Sequence, residues 1–314
     1  MTFASKYGPW ALVAGASEGV GAAFAEGIAE RGVNVMLVAR RKAVLDEVAA
    51  GIADRTGAQT RTLAIDLAER DAASQVAKAT TDLDIGFVVY CAGADPNFEP
   101  FLANSIEAAE AMVHRNCMVP MQLCHHFAPP MVQRGSGGIV LFGSGAGLAG
   151  GPNMVAYGAT KAFDMVFTEA LWSELHDKGV DVLGLILGKT NTPALRRLEH
   201  SRGHLSSADT APPDADSVDQ VIAEAFENLS NGPTLMVGEM MRADAGVAVP
   251  QRGRQAHDAS SGRGYGQRLT RQVPTCLMNT LTRLISPSGF CSMTRHSGYS
   301  VGIPSASKVS LSST

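Results

Sequence analysis

Tyr157 and Lys161 bound the run Tyr157-Gly158-Ala159-Thr160-Lys161, which begins thirteen residues after Ser144 and opens a predicted helix. Residues four apart on a helix share a face, so this spacing sets a phenol beside an ammonium. A phenol has a reference pKa near ~10 and needs a neighbouring cation to act as an acid or base near neutrality. A lysine one turn away supplies that cation. A Tyr-x-x-x-Lys pair alone is common surface decoration, so its meaning depends on what accompanies it.

What accompanies it is a glycine turn, Ala14-Gly15-Ala16-Ser17-Glu18-Gly19-Val20-Gly21, joining a strand to a helix. Glycines at 15, 19 and 21 permit a tight turn, close approach of a pyrophosphate and close helix–sheet contact, while the helix N-terminus offers N–H donors. Gly15 to Gly19 also satisfies the Gly-x-Ser-x-Gly pattern of a nucleophile elbow, which makes a serine hydrolase using Ser17 the rival reading. The turn follows the first strand, however, and leaves no upstream segment to build an oxyanion loop. About 20 residues beyond such a turn, an acid often meets the ribose 2′-hydroxyl, or an arginine accommodates a 2′-phosphate. Here the second strand ends Val38-Ala39-Arg40-Arg41 with no acid. The guanidinium forks of Arg40 and Arg41 suit a phosphate, which favours NADP(H) over NAD(H).

Such groups need a scaffold, and the chain alternates short β-branched apolar runs with helical periodicity. Trp10–Gly15 reads as a strand, Val20–Arg31 as a helix and Val33–Ala39 as a strand, which is a βαβ unit. The alternation continues with helix 41–56, strand 60–65, helix 69–81, strand 86–91, two helices within 104–134, strand 138–143, helix 154–178 and strand 180–187. Repeated βα units imply an α/β fold: a Rossmann-type, doubly wound parallel sheet with helices on both faces. Residues 189–213 lose the period and read as a long loop or short helices, the usual form of a lid. A helix resumes over Asp214–Leu229 with Asp214 as its N-cap, and Thr234–Val237 forms a last strand.

Together the glycine turn, Asp66, Cys91-Ala92-Gly93, Asn116, Ser144, Tyr157, Lys161 and Gly188-Lys189-Thr190-Asn191-Thr192-Pro193 resemble the short-chain dehydrogenase/reductase family over roughly residues 8 to 240. The resemblance implies an NAD(P)-dependent oxidoreductase that moves a hydride between the cofactor and a carbonyl or alcohol. It makes Tyr157 the group that protonates or deprotonates the substrate oxygen, and Ser144 a hydrogen-bond partner of that oxygen. Lys161 lowers the phenol pKa and holds the nicotinamide ribose, and Asn116 supports a water relay. The cofactor contacts the resemblance implies are Gly15, Ser17, Gly19, Val20, Gly21, Arg40, Asp66, Leu67, Ala92, Gly93, Tyr157, Lys161, Gly188, Thr190 and Thr192, with Asp66 meeting the adenine and Thr192 the nicotinamide end. Ala14 stands where the family usually has Thr, Cys91 replaces the Asn of Asn-Ala-Gly, Leu187 replaces a Pro, and Glu18 stands where some NADP-dependent members carry a base. An intact acid/base set argues against a non-catalytic dinucleotide sensor, since binding alone needs none.

At 314 residues, 45% hydrophobic and 18% charged, the chain accommodates one large domain plus an extension. The net charge of −4 gives no general attraction to nucleic acid or anionic membrane. No apolar run is long enough for a signal or a membrane span. A small-molecule substrate is the expected partner. Leu148, Met154 and Val155 hint at an aliphatic or steroid-like carbonyl, though packing explains them equally well. The family resemblance implies a homo-oligomer built on the helices around 104–134 and 154–178, whose Met112, Met118, Met121, Phe163, Met165 and Phe167 are either core or interface. Five cysteines without Cys-x-x-Cys spacing point to a reducing cytoplasm. Cys117 and Cys124 read as core positions. His125, His126, His200 and His204 lack a convincing third ligand, so no metal is expected.

From Ala243 the composition changes: no glutamate, two aspartates, seven arginines, one lysine and twelve serines. Residues 1–242 are therefore expected to form the oxidoreductase domain, and 243–314 a basic, Ser-rich tail that is disordered or loosely packed. A reading-frame shift or misassigned terminus is favoured over a basic arm for an acidic partner, because the cations are dispersed among Ser, Gly and Pro.

Overall fold

The computed structural model describes residues 1–94 and 97–245. Seven strands, β1 Trp10–Ala14, β2 Asn34–Ala39, β3 Thr60–Ala64, β4 Ile85–Tyr90, β5 Gly137–Ser144, β6 Val180–Leu187 and β7 Thr234–Met236, form one sheet in the order β3-β2-β1-β4-β5-β6-β7. Every pairing is parallel. The helices are α1 Phe3–Tyr7, α2 Gly19–Ala29, α3 Lys42–Thr56, α4 Ala72–Ala79, α5 Ile106–Val113, α6 Val119–Arg134, α7 Val155–Leu175, α8 Pro193–Ser201, α9 Val218–Glu227 and α10 Glu239–Ala245. The expected doubly wound α/β architecture is the observed one.

Successive side chains of a strand point to opposite faces, and a parallel sheet covered on both sides must be apolar on both. Ala11 and Val13 pack with Phe24 and Ile28 of α2, Leu45 of α3 and Val221 of α9. Leu12 and Ala14 join Val76 of α4 and Leu123, Phe127 and Met131 of α6 on the other face. Fully burying a side chain such as Phe24 stabilises the fold by about 1.5–3 kcal/mol. The strand order runs outward in both directions from β1 and β4, so the chain opens a crevice above their carboxyl ends, where ligands of such sheets bind.

Several element boundaries differ from expectation for local reasons. Asp214 is not an N-cap: it sits at φ +56°, and Ser217 caps α9 by accepting from Gln220 N at 3.1 Å. The helix expected over 69–81 begins only at Ala72, because Asp66 accepts from Ala68 N at 2.9 Å and folds the preceding residues into a turn. Its end is drawn in by Thr80, whose hydroxyl donates to the Val76 carbonyl at 2.9 Å. The two helices within 104–134 run together through a π-helical turn, His114–Met118. The expected lid is partly helical: Thr192 caps α8 by accepting from Leu195 N at 3.2 Å, with Pro193 following it. The expected domain limit at 242 falls inside α10, and the remainder of the basic tail lies outside the described residues.

Candidate active site

The glycine turn sits at the crevice. Gly15 N donates to Val38 O at 2.8 Å, and Cys91 N donates to Ala14 O at 2.9 Å, so the turn is stitched to the ends of β2 and β4. Gly15 adopts φ +88°, and a Cβ there would lie 2.8 Å from Ala92 N. Only glycine satisfies both demands. Across the crevice, a Cβ on Gly19 would come within 3.2 Å of Thr192 Cγ2 at the head of α8. The turn, the segment after β4 and the segment after β6 therefore converge, bringing Gly15, Ser17, Gly19, Val20, Gly21, Ala92, Gly93, Gly188, Thr190 and Thr192 to one end of the sheet. Thr190 is fixed by a parallel bridge to Asp216.

At the end of β2 the two arginines divide. Arg41 lies 3.1 Å from Glu18 and donates to Ser17 Oγ at 3.3 Å. Arg40 is largely exposed, its side chain 3.9 Å from Asp66, and Leu67 beside Asp66 is buried. Glu18 also receives Arg197 of α8 at 2.6 Å. Burial works against its charge, but Arg197 and Arg41 outweigh it and hold the carboxyl below its ordinary value. A dinucleotide fits these residues: the glycine turn leaves room for close approach, α2 carries no acid in its first turn, and the Glu18 carboxylate before it is neutralised by two arginines.

The side chains expected to carry the acid/base chemistry stand mainly on α7 and the π-helical turn. Lys161, 4% exposed, donates to Phe142 O at 2.7 Å and pairs with Asp164 at 3.0 Å. Its Nζ stands 5.9 Å from the centroid of the Tyr157 ring. Asn116 donates to Thr160 Oγ1 at 2.9 Å and to Gly93 O at 3.3 Å. A Cβ on Gly93 would lie 3.0 Å from Asn116 Oδ1 and 3.1 Å from Lys161 Nζ. Ser144 ends β5 and its Oγ accepts from Ala146 N at 3.2 Å. Burial opposes the Lys161 ammonium, but Asp164 and Tyr157 overcome it and its pKa is raised. Burial lifts the Asp164 carboxyl to about 6 against the pull of Lys161.

Sequence reasoning missed Asp164, Arg197 and Phe98. Phe98 packs against Tyr157 with ring centroids 6.0 Å apart, in a cluster with Ala146 and Met154. Leu148 joins Ile186, Met236 and Met241 instead, and Val155 is exposed. Only the i, i+3 spacing of Lys161 and Asp164 was visible beforehand. Cys117 and Cys124 are buried free thiols, as read from sequence. His200 meets the Leu205 carbonyl and His204 meets Glu199; among the described residues no group of three ligands is placed to hold a metal. Among the described residues no helix is long and apolar enough to cross a membrane.

This arrangement is that of a dinucleotide-dependent oxidoreductase, and comparison with known proteins agrees. The short chain dehydrogenase family model matches residues 9–203, and the chain belongs to the short-chain dehydrogenase/reductase family. It transfers a hydride between a dinucleotide and a small-molecule alcohol or carbonyl. A hydrolase nucleophile at Ser17 is not supported: the hydroxyl accepts from Arg41 in a dinucleotide-type turn. A relative, 7beta-hydroxysteroid dehydrogenase of Clostridium sardiniense, is 36% identical over 246 residues, covering 77% of this chain and 90% of the relative. A structure from a study of 7beta-hydroxysteroid dehydrogenase stereoselectivity superposes with TM-score 0.70 and 31% identity, covering 84% of this chain and 96% of that one. A short-chain dehydrogenase from Sphingobium yanoikuyae in complex with NADPH superposes with TM-score 0.67 and 29% identity, covering 83% and 98%.

Proposed function

We propose that the protein uses NADP(H), ahead of NAD(H), to interconvert an alcohol and a ketone on a bulky apolar skeleton of the hydroxysteroid kind. The observation that carries this reading is the convergence of Tyr157, the buried Lys161 ammonium and the Asn116 amide beside Gly93 at the end of β4. The 7beta-hydroxysteroid dehydrogenase relatives and the NADPH-bound neighbour support the substrate class and the cofactor. Arg40 is assigned to the 2′-phosphate, the glycine turn to the pyrophosphate, and Asp66 and Leu67 to the adenine. Gly188, Thr190 and Thr192 are assigned to the nicotinamide end.

When bound, the nicotinamide gives a hydride to the carbonyl carbon or takes one from the alcohol carbon. In reduction the Tyr157 hydroxyl donates its proton to the carbonyl oxygen, and the phenolate is reprotonated from solvent. Ser144 Oγ donates a hydrogen bond to the same oxygen and keeps it in line with the phenol. Lys161 places its positive charge where the phenolate develops and holds the ribose. Asn116 fixes the Gly93 backbone and Thr160 at the floor of the site and supports the path by which the proton returns.

Residues 1–242 are assigned to the oxidoreductase body and 243–314 to an appended basic tail; a homo-oligomer in the cytoplasm completes the proposal. The test is NADPH consumption with a panel of steroid ketones, aliphatic ketones and sugars. A steroid ketone is expected to be the best substrate, and Tyr157→Phe is expected to lower turnover by about 100- to 10,000-fold while NADPH still binds. Wild-type turnover in that variant would overturn the acid/base assignment, and a panel in which only sugars react would overturn the substrate class.

A further inference from the structure

Asp164 is a second ionisable group in the core beside the reaction site, and the mechanism above does not use it. It lies one helical turn beyond Lys161 on α7, its Oδ2 is 3.0 Å from Lys161 Nζ, and the two side chains are only 5% and 6% exposed. The other ionisable groups that interact with the pair are the Tyr157 phenol, the thiols of Cys91, Cys117 and Cys124, and the Tyr90 hydroxyl. Burial pushes the thiols of Cys91 and Cys124 up to about 12 and that of Cys117 to about 11. Burial likewise raises the Tyr90 hydroxyl well above its ordinary value, despite Arg115 nearby. The ammonium also donates to the Phe142 carbonyl at 2.7 Å and stands 5.9 Å from the centroid of the Tyr157 ring. A lysine this deeply buried without a carboxylate loses its proton far more readily than in water, because burial penalises the charged form.

We propose that Asp164 is a positioning residue for the reaction: it keeps Lys161 charged inside the core and, with the Phe142 carbonyl, fixes the ammonium beneath Tyr157 and the nicotinamide ribose. The inference rests on the assigned roles of Tyr157 and Lys161. Two of the three ammonium hydrogens are committed to Asp164 and Phe142. The third is left for the side facing Gly93, where an added Cβ would lie 3.1 Å from Nζ. The arrangement explains a buried acid in α7 that contributes nothing to apolar packing. An apolar residue there would leave the ammonium with the Phe142 carbonyl but without a counter-charge.

The test follows the Lys161 side chain by carbon NMR in the full chain, its signal assigned through Lys161→Arg, together with NADPH affinity from cofactor fluorescence across pH. In the wild type the ammonium is expected to persist beyond pH ~10. In Asp164→Asn its midpoint is expected to fall by at least about one pH unit. NADPH affinity in that variant should weaken roughly five-fold or more from neutral to alkaline pH, a loss absent from the wild type. Asp164→Glu should restore part of the alkaline affinity, and Lys161→Met should abolish the effect of Asp164→Asn. An unchanged Lys161 midpoint in folded Asp164→Asn overturns the proposal. If that variant does not fold, a wild-type midpoint below the ordinary lysine value overturns it equally. Failure of the underlying reading looks different: Lys161→Met would then bind NADPH like the wild type, whatever the Lys161 midpoint does.

Discussion

Arg40 and Arg41 are adjacent in sequence and chemically identical, yet the fold gives them different tasks. Arg41 is occupied by Glu18 and Ser17, whereas Arg40 keeps a largely exposed guanidinium with only a distant approach to Asp66. The proposed 2′-phosphate contact falls to Arg40 because a charge-assisted hydrogen bond gains most where the competing carboxylate is only loosely engaged. Arg40→Asp is therefore expected to weaken NADPH by about 10- to 100-fold while sparing or favouring NADH. The measurement is kcat/KM with each cofactor. Equal losses for both cofactors would mean structural damage, and a wild type that prefers NADH would end the phosphate assignment. The candidacy of Arg40 was legible from the missing acid at the strand end. Its separation from Arg41 was not, because that depends on where Glu18 and α8 lie in space.

At the scale of elements, the site depends on α8 returning to the glycine turn. Thr192 and Pro193 start that helix by local chemistry, but its docking on the turn comes from Arg197 meeting Glu18, 179 positions apart in sequence. Both side chains are partly exposed, so the pair contributes modestly, about 0.2–1 kcal/mol. Glu18→Gln is expected to raise the KM for cofactor about two- to five-fold, with little change in kcat, and to quicken amide exchange across 193–201. Hydrogen exchange read by mass spectrometry checks this, and unchanged exchange in α8 would show that the helix is held by other contacts. The periodicity of the sequence located β1, α2, β2, α3 and β6 closely, since each buries a regular apolar face. It placed the start of α9 wrongly, because Asp214 and Ser217 are both good caps and only the bridge of Thr190 to Asp216 decides that the chain is still extended there.

At the scale of the molecule, α5, the π-helical turn and α7 leave Ile106, Val113, Met118, Val155 and Val166 exposed, at 58%, 44%, 40%, 54% and 64%. Scattered apolar residues on a surface are ordinary, and these five are the exposed apolar positions on the segments to which the proposed homo-oligomer is assigned. Phe163 and Phe167 on α7 stack with ring centroids 5.5 Å apart, and Met112 is buried, so the apolar residues singled out in sequence divide between core and surface. The proposed homo-oligomer predicts that Met118→Glu combined with Val166→Glu lowers the particle mass in light scattering to that of one chain, while the circular dichroism spectrum is retained. A wild type that is already a monomer at micromolar concentration would defeat the proposal.

The sequence by itself determined the βα alternation, the glycine turn and the Tyr157–Lys161 pair. Each is written in spacing along the chain, where steric and helical periodicities act over a few residues. It also offered Ser144 and Asn116 as candidates, though only through resemblance to a family, because nothing local ties a strand end and a helix turn to a phenol. Tertiary structure alone decided that Asp164 faces Lys161 within the core, that Arg197 crosses from α8 to Glu18, and that Phe98 lies against Tyr157. The first pair lies within α7 and owes to tertiary structure only its burial; the other two contacts depend on how separately formed elements are packed. A carboxylate, a guanidinium or a ring reads the same in sequence whether it meets solvent or a partner, and only the folded chain sets the distance that separates a solvated side chain from one that holds the site.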